Sequence, residues 1–368
     1  MDLRDELEAS LGELYSIEQE LGGGGMSRVF LAKEKSLGRR VVVKVLPNEL
    51  TGGVNVDRFR REIVLAAQLQ HPHIVTLLST GQVAGVPYYT MPYEEGRSLR
   101  SHLRDNGALP IAEVVGLLGD VAKALSFAHE RGVIHRDIKP DNILVCGGAA
   151  VVSDFGIAKA VSEAKDQPPP RETGESLTQI GMSVGTPTYM APEQAAADPD
   201  VDHRADIYSF GITAYEMLTG RPPFCDSSPR KLLAAHLTEA PAPVANLRPD
   251  TPPALAAMVM SCLEKEPADR PQTAKALLHV LEIVGAGEQR AARAQVQRGS
   301  LARQLARGLV ALIAVSILAR ASIIAMGLPE WVLPAMLVMA VLIIVFLVGR
   351  AQGITRAITP MSPARRRE

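Results

Sequence analysis

The sequence predicts a fold that contains both β-strands and α-helices, followed by transmembrane helices, and three observations support this. Val41 to Val43 form a β-branched run that is typical of a buried strand. A second segment has apolar residues at spacings of four and three, as expected for a helix with one apolar face; these residues are Phe59, Ile63, Ala66 and Leu69. Residues 331–349 form a run of 19 residues without charge, and at about 1.5 Å per residue this run spans roughly 28 Å, close to one hydrocarbon thickness.

Composition limits the function classes. The chain has 368 residues, which agrees with two or three domains, and its net charge of −1 with few clustered aromatic residues argues against nucleic-acid binding. Its cysteines, Cys146, Cys225 and Cys262, are widely spaced without a CxxC pair, so neither a zinc site nor a disulfide framework is predicted. Residues 1–14 form a charged start without an apolar core, which predicts an N-terminal helix and no secretory signal.

The run HRDIKPDN, residues 135–142, places a carboxylate, a cation and an amide in one short loop. Asp137 could accept the proton of a hydroxyl nucleophile, Lys139 could neutralise a moving phosphoryl group, and Asn142 could hold a metal that bridges nucleotide phosphates. Phosphoryl transfer requires such a set, because its catalysis rests on positioning and on offsetting charge. The alternative is an ordinary charged turn, and the neighbouring motifs decide between the two.

Four further motifs occur in order around this loop. Asp154-Phe155-Gly156 follows the apolar pair Val151-Val152, which suits a short strand that leads into a loop with a second metal ligand, Asp154. Ala191-Pro192-Glu193 comes later in the chain. Upstream, residues 21–29 read LGGGGMSRV and residues 41–44 read VVVK. Five motifs in one order leave little room for chance.

With these motifs the chain resembles the bacterial eukaryotic-like, Hanks-type serine/threonine protein kinases over residues 15–284. The resemblance implies an α+β, bilobal protein kinase fold, with a small antiparallel β-sheet lobe plus one helix at 15–91, a hinge at 92–96 and a larger, mainly helical lobe at 97–284. It also implies ATP with Mg²⁺, or Mn²⁺, in the cleft, and proteins with serine or threonine acceptors as substrates.

The resemblance assigns a set of nucleotide-binding residues. Ser27 stands where the third glycine of the G-x-G-x-x-G-x-V loop is expected, and a run of four glycines alone could be a flexible linker. Lys44 ends a buried strand and needs negative charge, which the resemblance supplies from phosphates and from Glu62; a solvated surface carboxylate is the alternative for Glu62. The complete predicted set is Leu21, Gly22, Gly23, Gly24, Gly25, Val29, Lys44, Glu62, Met91 as gatekeeper, Pro92 as first hinge residue and Glu94 as the hinge N–H donor.

Arg136 directly precedes Asp137, and in similar kinases such an arginine often binds a phosphate on the activation segment. Four hydroxyl side chains are candidate acceptors: Thr173, Ser176, Thr178 as first choice, and Ser183. The alternative is that they are only polar loop residues. Thr186 matches the threonine that bridges the catalytic aspartate and lysine in serine/threonine kinases. Three matches have structural roles, namely an ion pair between Glu193 and Arg270, and Asp206 as the brace of the catalytic-loop backbone.

The composition changes after the kinase-like region. Residues 285–307 predict a basic juxtamembrane linker, 308–328 and 331–349 predict two transmembrane helices, and 350–368 predict a basic cytoplasmic tail. Arg320 lies within the first span at a cost of about 3 kcal/mol, so a single span or an interfacial first helix are alternatives. Positive charge on both flanks favours a hairpin, which places the chain in the inner, cytoplasmic membrane as a multi-pass protein with its kinase domain in the cytoplasm.

The sequence leaves three hypotheses for the function. The first is an active serine/threonine kinase, tethered to the lipid bilayer, that phosphorylates proteins and its own activation loop. The second is a pseudokinase or scaffold that keeps the fold for binding. The third is a small-molecule kinase of related fold, for which the Ala191-Pro192-Glu193 motif and Thr186 would be superfluous. Self-association into a homodimer is one route by which a signal could reach such an enzyme.

Overall fold

The computed structural model describes residues 3–24, 27–46, 63–83, 85–157, 187–326 and 338–339. The chain divides into two compact units, Met1–Glu288 and Gln289–Glu368. The first unit contains a small sheet-rich lobe and a larger helical lobe, so the bilobal α+β fold implied by the resemblance is confirmed.

The small lobe is built on a five-stranded antiparallel sheet. Its strands are β1 (Tyr15–Gly24), β2 (Ser27–Glu34), β3 (Arg40–Val45), β4 (Ser79–Val83) and β5 (Val86–Pro92), in the spatial order β1-β2-β3-β5-β4. The predicted strand around Val41 to Val43 is the central strand β3, and these valines are buried. A central position explains the β-branched run, because both faces of β3 are covered.

The two faces of this sheet have different covers. Helix α1 (Leu3–Leu11) lies on one face, where Leu7 and Leu11 join the same buried cluster as Phe30 and Val43. The other face presents Val42, Leu46, Tyr89 and Met91, which pack with Ile63. Ile63 belongs to a helical segment at residues 63–67, within the predicted helix; Phe59 and Glu62 lie outside the described residues. Alternation along each strand thus separates two cores.

The larger lobe is mainly helical. Its helices are α2 (Leu99–Asn106), α3 (Ile111–His129), α4 (Pro192–Ala195), α5 (Arg204–Thr219), α6 (Pro229–Thr238), α7 (Val244–Leu247), α8 (Pro253–Cys262) and the start of α9 (Ala274–Met326), with 3-10 turns at Pro140–Asn142, Pro187–Tyr189 and Pro267–Asp269. Helix α5 is buried on every side from Ala205 to Leu218 and is capped by Gly220, whose φ of +79° suits glycine. It is the central support on which the catalytic loop rests.

A small second sheet positions the catalytic motifs. Its strands are β6 (Arg97–Ser98), β7 (Ile143–Cys146) and β8 (Ala149–Val152), in sequential order. The HRDIKPDN loop ends where β7 begins, and Asp154 follows β8 after one residue. The hairpin of β7 and β8 therefore brings the two motifs side by side. The chain from His73 to Val75 bonds to Val152 and ties the small lobe to this sheet.

In the second unit the described residues belong almost entirely to helix α9. Large apolar side chains are exposed along it: Leu305, Leu309, Val310, Ile313, Ile317 and Leu318. Within the described part of the chain, no helix combines the length and the apolar character needed to cross a membrane. This result gives no support to the predicted span 308–328. The predicted span 331–349, apart from residues 338–339, and the predicted tail 350–368 lie outside the described residues.

Candidate active site

The glycine-rich motif forms the end of the β1–β2 hairpin. Gly22 pairs with Val29 and Gly24 pairs with Ser27, while Gly25 lies outside the described residues. Gly22 has a φ of +127° and open space where a Cβ would stand, so its backbone requires glycine although its surroundings do not. Leu21 is 44 % exposed at the same end of the strand. At Gly22, therefore, no side chain obstructs the close approach of a phosphate to the backbone.

An apolar surface lies between the two sheets. Met91 is buried beside Val42 on the inner face of the small lobe, as expected for a gatekeeper. Val29 from β2 and Leu144 from β7 pack against this same cluster. Leu144 was not among the predicted site residues, although its place in the apolar run that follows Asn142 was a usable signal. These side chains can cover the two faces of a flat ring.

The hinge begins where β5 ends. Pro92 pairs with Val41 at the last position of the strand, and the N–H of Tyr93 donates to the carbonyl of Arg40 at 3.3 Å. Proline offers a carbonyl and no N–H, which agrees with the predicted role of its carbonyl. Glu94 follows at a half-buried position, so its N–H donor role stays a prediction.

Lys44 contacts Asp154 directly. The Lys44 Nζ donates to Asp154 Oδ2 at 2.7 Å, and the Tyr89 hydroxyl donates to Asp154 Oδ1 at 2.6 Å. The predicted counter-ion Glu62 lies outside the described residues. Burial alone would raise the pKa of Asp154, but the charge and hydrogen bond of Lys44, together with the Tyr89 hydrogen bond, lower it below the usual value. Asp154 is therefore held ionised, as a metal ligand must be.

Two non-glycine residues of the motifs have left-handed backbone. Arg136 has a φ of +68° and Asp154 a φ of +66°. Such conformations cost free energy and persist where surrounding contacts hold them. The His135 ring supplies one of these contacts, because it bonds the carbonyl of Ser153 at 2.7 Å and packs edge-on against Phe155 at 4.6 Å between centroids. The two motifs therefore brace each other.

In the catalytic loop, Lys139 and Asn142 converge on the carboxylate of Asp137. Lys139 Nζ lies 2.7 Å from Asp137 Oδ2, and Asn142 Nδ2 donates to the same oxygen at 2.9 Å. Asn142 also donates to the backbone carbonyl of Asp137 at 2.8 Å. Asp137 keeps 27 % of its side chain exposed, so a substrate hydroxyl can reach it. The three predicted residues are brought together, whereas Thr186 lies outside the described residues.

Asp206 on α5 holds the backbone of this loop. Its Oδ2 accepts the His135 N–H at 2.8 Å, and its Oδ1 accepts the Arg136 N–H at 2.7 Å. The His129 ring bonds Oδ2 as well, at 2.8 Å. Asp206 is completely buried; burial by itself would raise its pKa, but the bonds and charge of His129 lower it. The predicted bracing role is confirmed.

Ser153 links Asn142 to Asp154 by hydrogen bonds. The Ser153 N–H donates to the Asn142 carbonyl at 2.9 Å, and its hydroxyl donates to Asp154 Oδ2 at 3.2 Å. Because the Asn142 amide nitrogen donates to Asp137, its amide oxygen remains as an acceptor. The described residues hold no group of three or more His, Cys, Asp or Glu side chains placed to bind a metal. An amide oxygen and a carboxylate are ligand types that Mg²⁺ accepts, and phosphates and water would supply its other ligands.

The Arg136 side chain has one unsatisfied nitrogen within the described part of the chain. Its Nε is buried and has no hydrogen-bond partner among the described residues. The Gln194 amide donates to the Arg136 carbonyl at 3.0 Å and ties the loop to α4. The predicted acceptors Thr173 and Thr178 lie outside the described residues.

Glu193 and Arg270 form the predicted buried ion pair. Arg270 Nη1 and Nη2 donate to the two oxygens of Glu193 at 2.7 and 2.8 Å, and none of the Arg270 side chain is exposed. The guanidinium also donates to three backbone carbonyls, those of Arg204, Glu264 and Lys265. This pair connects α4 to the start of α5 and to the segment that follows α8.

Three features together define a protein kinase domain. They are the Lys44–Asp154 pair where the two lobes meet, the glycine-rich hairpin of the small lobe, and Asp137 in the loop whose backbone Asp206 holds. Residues 15–281 match the family model described as protein kinase domain. The chain belongs to the protein kinase family.

Three curated relatives illustrate the similarity. The chain is 40 % identical over 284 residues to the serine/threonine-protein kinase PknB of Mycobacterium tuberculosis, covering 76 % of this chain and 44 % of that protein. A probable serine/threonine-protein kinase of Corynebacterium efficiens is 38 % identical over 299 residues, 78 % of this chain and 44 % of the relative. One from Clostridium acetobutylicum is 39 % identical over 276 residues, 74 % and 40 %. The match thus spans less than half the length of these relatives.

Proposed function

We propose that the chain is an ATP-dependent serine/threonine protein kinase, which transfers the γ-phosphoryl group of ATP to hydroxyl groups of protein substrates. The observation that carries this proposal is the grouping of Lys139 and Asn142 around Asp137, beside the Lys44–Asp154 pair. The relatives named serine/threonine-protein kinases favour serine and threonine as acceptors, and Thr186 agrees with them by its sequence position.

Each residue then has a role in the transfer. Asp137 orients the substrate hydroxyl and accepts its proton, while Lys139 offsets charge on the phosphoryl group. Lys44 binds the nucleotide phosphates, and the glycine hairpin covers them. Asn142 and Asp154 would hold Mg²⁺, and the ion would supply neutralisation of the phosphate charge. Positioning, charge stabilisation and proton acceptance by Asp137 together account for the transfer, so no covalent intermediate with the protein is required.

An assay with labelled ATP and a general protein acceptor tests the activity. Replacing Asp137→Asn removes the base and should lower phosphoryl transfer by about 10²-fold or more. Asp141→Asn is the matched control, because Asp141 lies in the same loop, is half exposed and pairs with Arg100 at 3.3 Å. Equal labelling of the acceptor by wild type and by Asp137→Asn would refute the proposed kinase activity. Nucleotide binding by a wild type that labels nothing would instead indicate a pseudokinase.

Regulation by autophosphorylation is part of the proposal. The buried Arg136 Nε, without a described partner, supports a role in binding an activation-segment phosphate. Phosphosite mapping of the purified kinase should find Thr178, with Thr173 as the second candidate. Thr178→Ala should lower activity while Thr173→Ala does so less. Maps with no phosphate between residues 158 and 186 would contradict this regulation.

A membrane tether completes the proposal. The charge-free run 331–349 and the exposed apolar side chains between Leu305 and Leu318 support contact with lipid. The basic flanks favour a hairpin with both ends in the cytoplasm. A reporter fused after Glu368 should report the cytoplasm, and a periplasmic signal would refute the hairpin.

A further inference from the structure

The Tyr89 hydroxyl makes a contact that the sequence motifs do not account for. It donates to Asp154 Oδ1 at 2.6 Å from a residue that is 1 % exposed. Tyr89 on β5 stands directly opposite Lys44 on β3, and Lys44 donates to the other oxygen of the same carboxylate. Two neighbouring strands of the small lobe therefore hold Asp154 by both of its oxygens.

The two donors differ in their freedom to change partner. The Tyr89 ring is packed among Val42, Ile63 and Met91, and a buried hydroxyl that loses its acceptor loses free energy. Lys44 has a flexible four-carbon stem and keeps 18 % of its side chain exposed. Lys44 can turn to another anion, whereas Tyr89 stays on Asp154.

This difference matters when nucleotide binds. In the proposed function Lys44 contacts the phosphates, which draws its ammonium away from Asp154 Oδ2 and frees that oxygen for the metal. The hydroxyl of Ser153, at 3.2 Å, is then the weaker donor left on Oδ2. Without a second fixed point the carboxylate could rotate, and a metal ligand must be held in orientation by its neighbours.

We propose that Tyr89 is a positioning residue for the nucleotide-bound metal: its hydroxyl fixes Asp154 Oδ1 so that Oδ2 faces the cleft. The inference rests on the proposed kinase function, because it concerns the same nucleotide site. It assigns a metal-directed role to a strand residue outside the loop motifs.

Isothermal titration calorimetry of ADP into the purified full chain tests this, once with MgCl₂ and once with EDTA. For wild type we expect Mg²⁺ to tighten ADP binding. For Tyr89→Phe the Mg²⁺-dependent gain should fall by about tenfold, the equivalent of one hydrogen bond to a charged group, while affinity in EDTA stays unchanged. The control is Tyr88→Phe, which removes the same atom from the adjacent residue, packed on the opposite face of the sheet; it should bind like wild type.

The outcomes separate the possibilities. A Tyr89→Phe variant with the full Mg²⁺ gain, or one weakened equally in MgCl₂ and EDTA, overturns the positioning role, since a purely structural role would affect both conditions alike. Electron paramagnetic resonance of Mn²⁺ with ADP gives a second, direct measure of metal affinity and should show the same loss. If wild type binds no ADP in either condition, the proposed function fails and this inference fails with it.

Discussion

Removing the guanidinium of Arg270 should destabilise the fold strongly, because it would leave the Glu193 carboxylate buried without its counter-ion. Arg270 is fully buried and donates to both Glu193 oxygens and to three carbonyls. Breaking a buried pair by removing one partner costs about 3–5 kcal/mol. Since three carbonyls also lose a charged donor, we expect Arg270→Met to lose about 4 kcal/mol or more of unfolding free energy.

Urea unfolding followed by circular dichroism measures this loss. The control is Arg104→Met, because Arg104 is 75 % exposed and lies 3.7 Å from Asp105; it should change stability by less than about 0.5 kcal/mol. The double variant Glu193→Met with Arg270→Met should be less destabilised than the sum of the singles by about 2 kcal/mol, since it leaves no unpaired charge. An Arg270→Met protein within about 1 kcal/mol of wild type would refute the reasoning.

Three further substitutions test the helical lobe. Burial, followed by the charge of Lys265, lowers the pKa of His236 to about 4, so the unfolded chain binds more protons below pH 6.5 and stability falls as pH falls through this window. When the pH is lowered from 7.5 to 5, the free energy of unfolding of His236→Asn should therefore fall by about 2 kcal/mol less than that of wild type, as measured by urea titrations. An equal fall in the two proteins would contradict a buried neutral ring. In α5 a methyl group on Gly211 would lie 2.6 Å from the Cys262 Cβ, so Gly211→Ala should destabilise by about 1–3 kcal/mol despite the higher helix propensity of alanine; a melting temperature at or above wild type would argue against this packing. Gly116→Ala in α3 meets nothing within 4 Å and should instead raise stability by up to about 1 kcal/mol, which the same thermal scans would detect or exclude.

The parts of the site that could be predicted from the sequence are those within short motifs. Asp137, Lys139 and Asn142 lie in one loop, so their grouping follows from local geometry. Asp206 lies far along the chain, and its bracing role could be predicted only through the resemblance. The ion pair of Glu193 and Arg270 was predicted in the same way, and its contacts confirm it.

Tyr89 could not be predicted, because a tyrosine in an apolar strand is typical of an ordinary core residue. Its partner Asp154 lies 65 residues away in the sequence, and only the folded β-sheet and the β7–β8 hairpin bring them together. The position of Leu144 in the cleft also depends on how the two sheets face each other, which periodicity alone does not specify. The contact between Lys44 and Asp154 belongs to the same class of long-range pairs.

Helix α1 has a consequence for where this domain begins. The family match starts at Tyr15, yet Leu7 and Leu11 are 0 % and 5 % exposed against the sheet. Burying a leucine contributes about 1.5–3 kcal/mol to stability. A chain shortened to the family boundary would therefore lose several kcal/mol of unfolding free energy and would expose an apolar face of the small lobe. The folding unit is therefore longer than the catalytic one. Substitutions at Leu7 and Leu11 should therefore change the stability of the small lobe while every catalytic side chain stays the same.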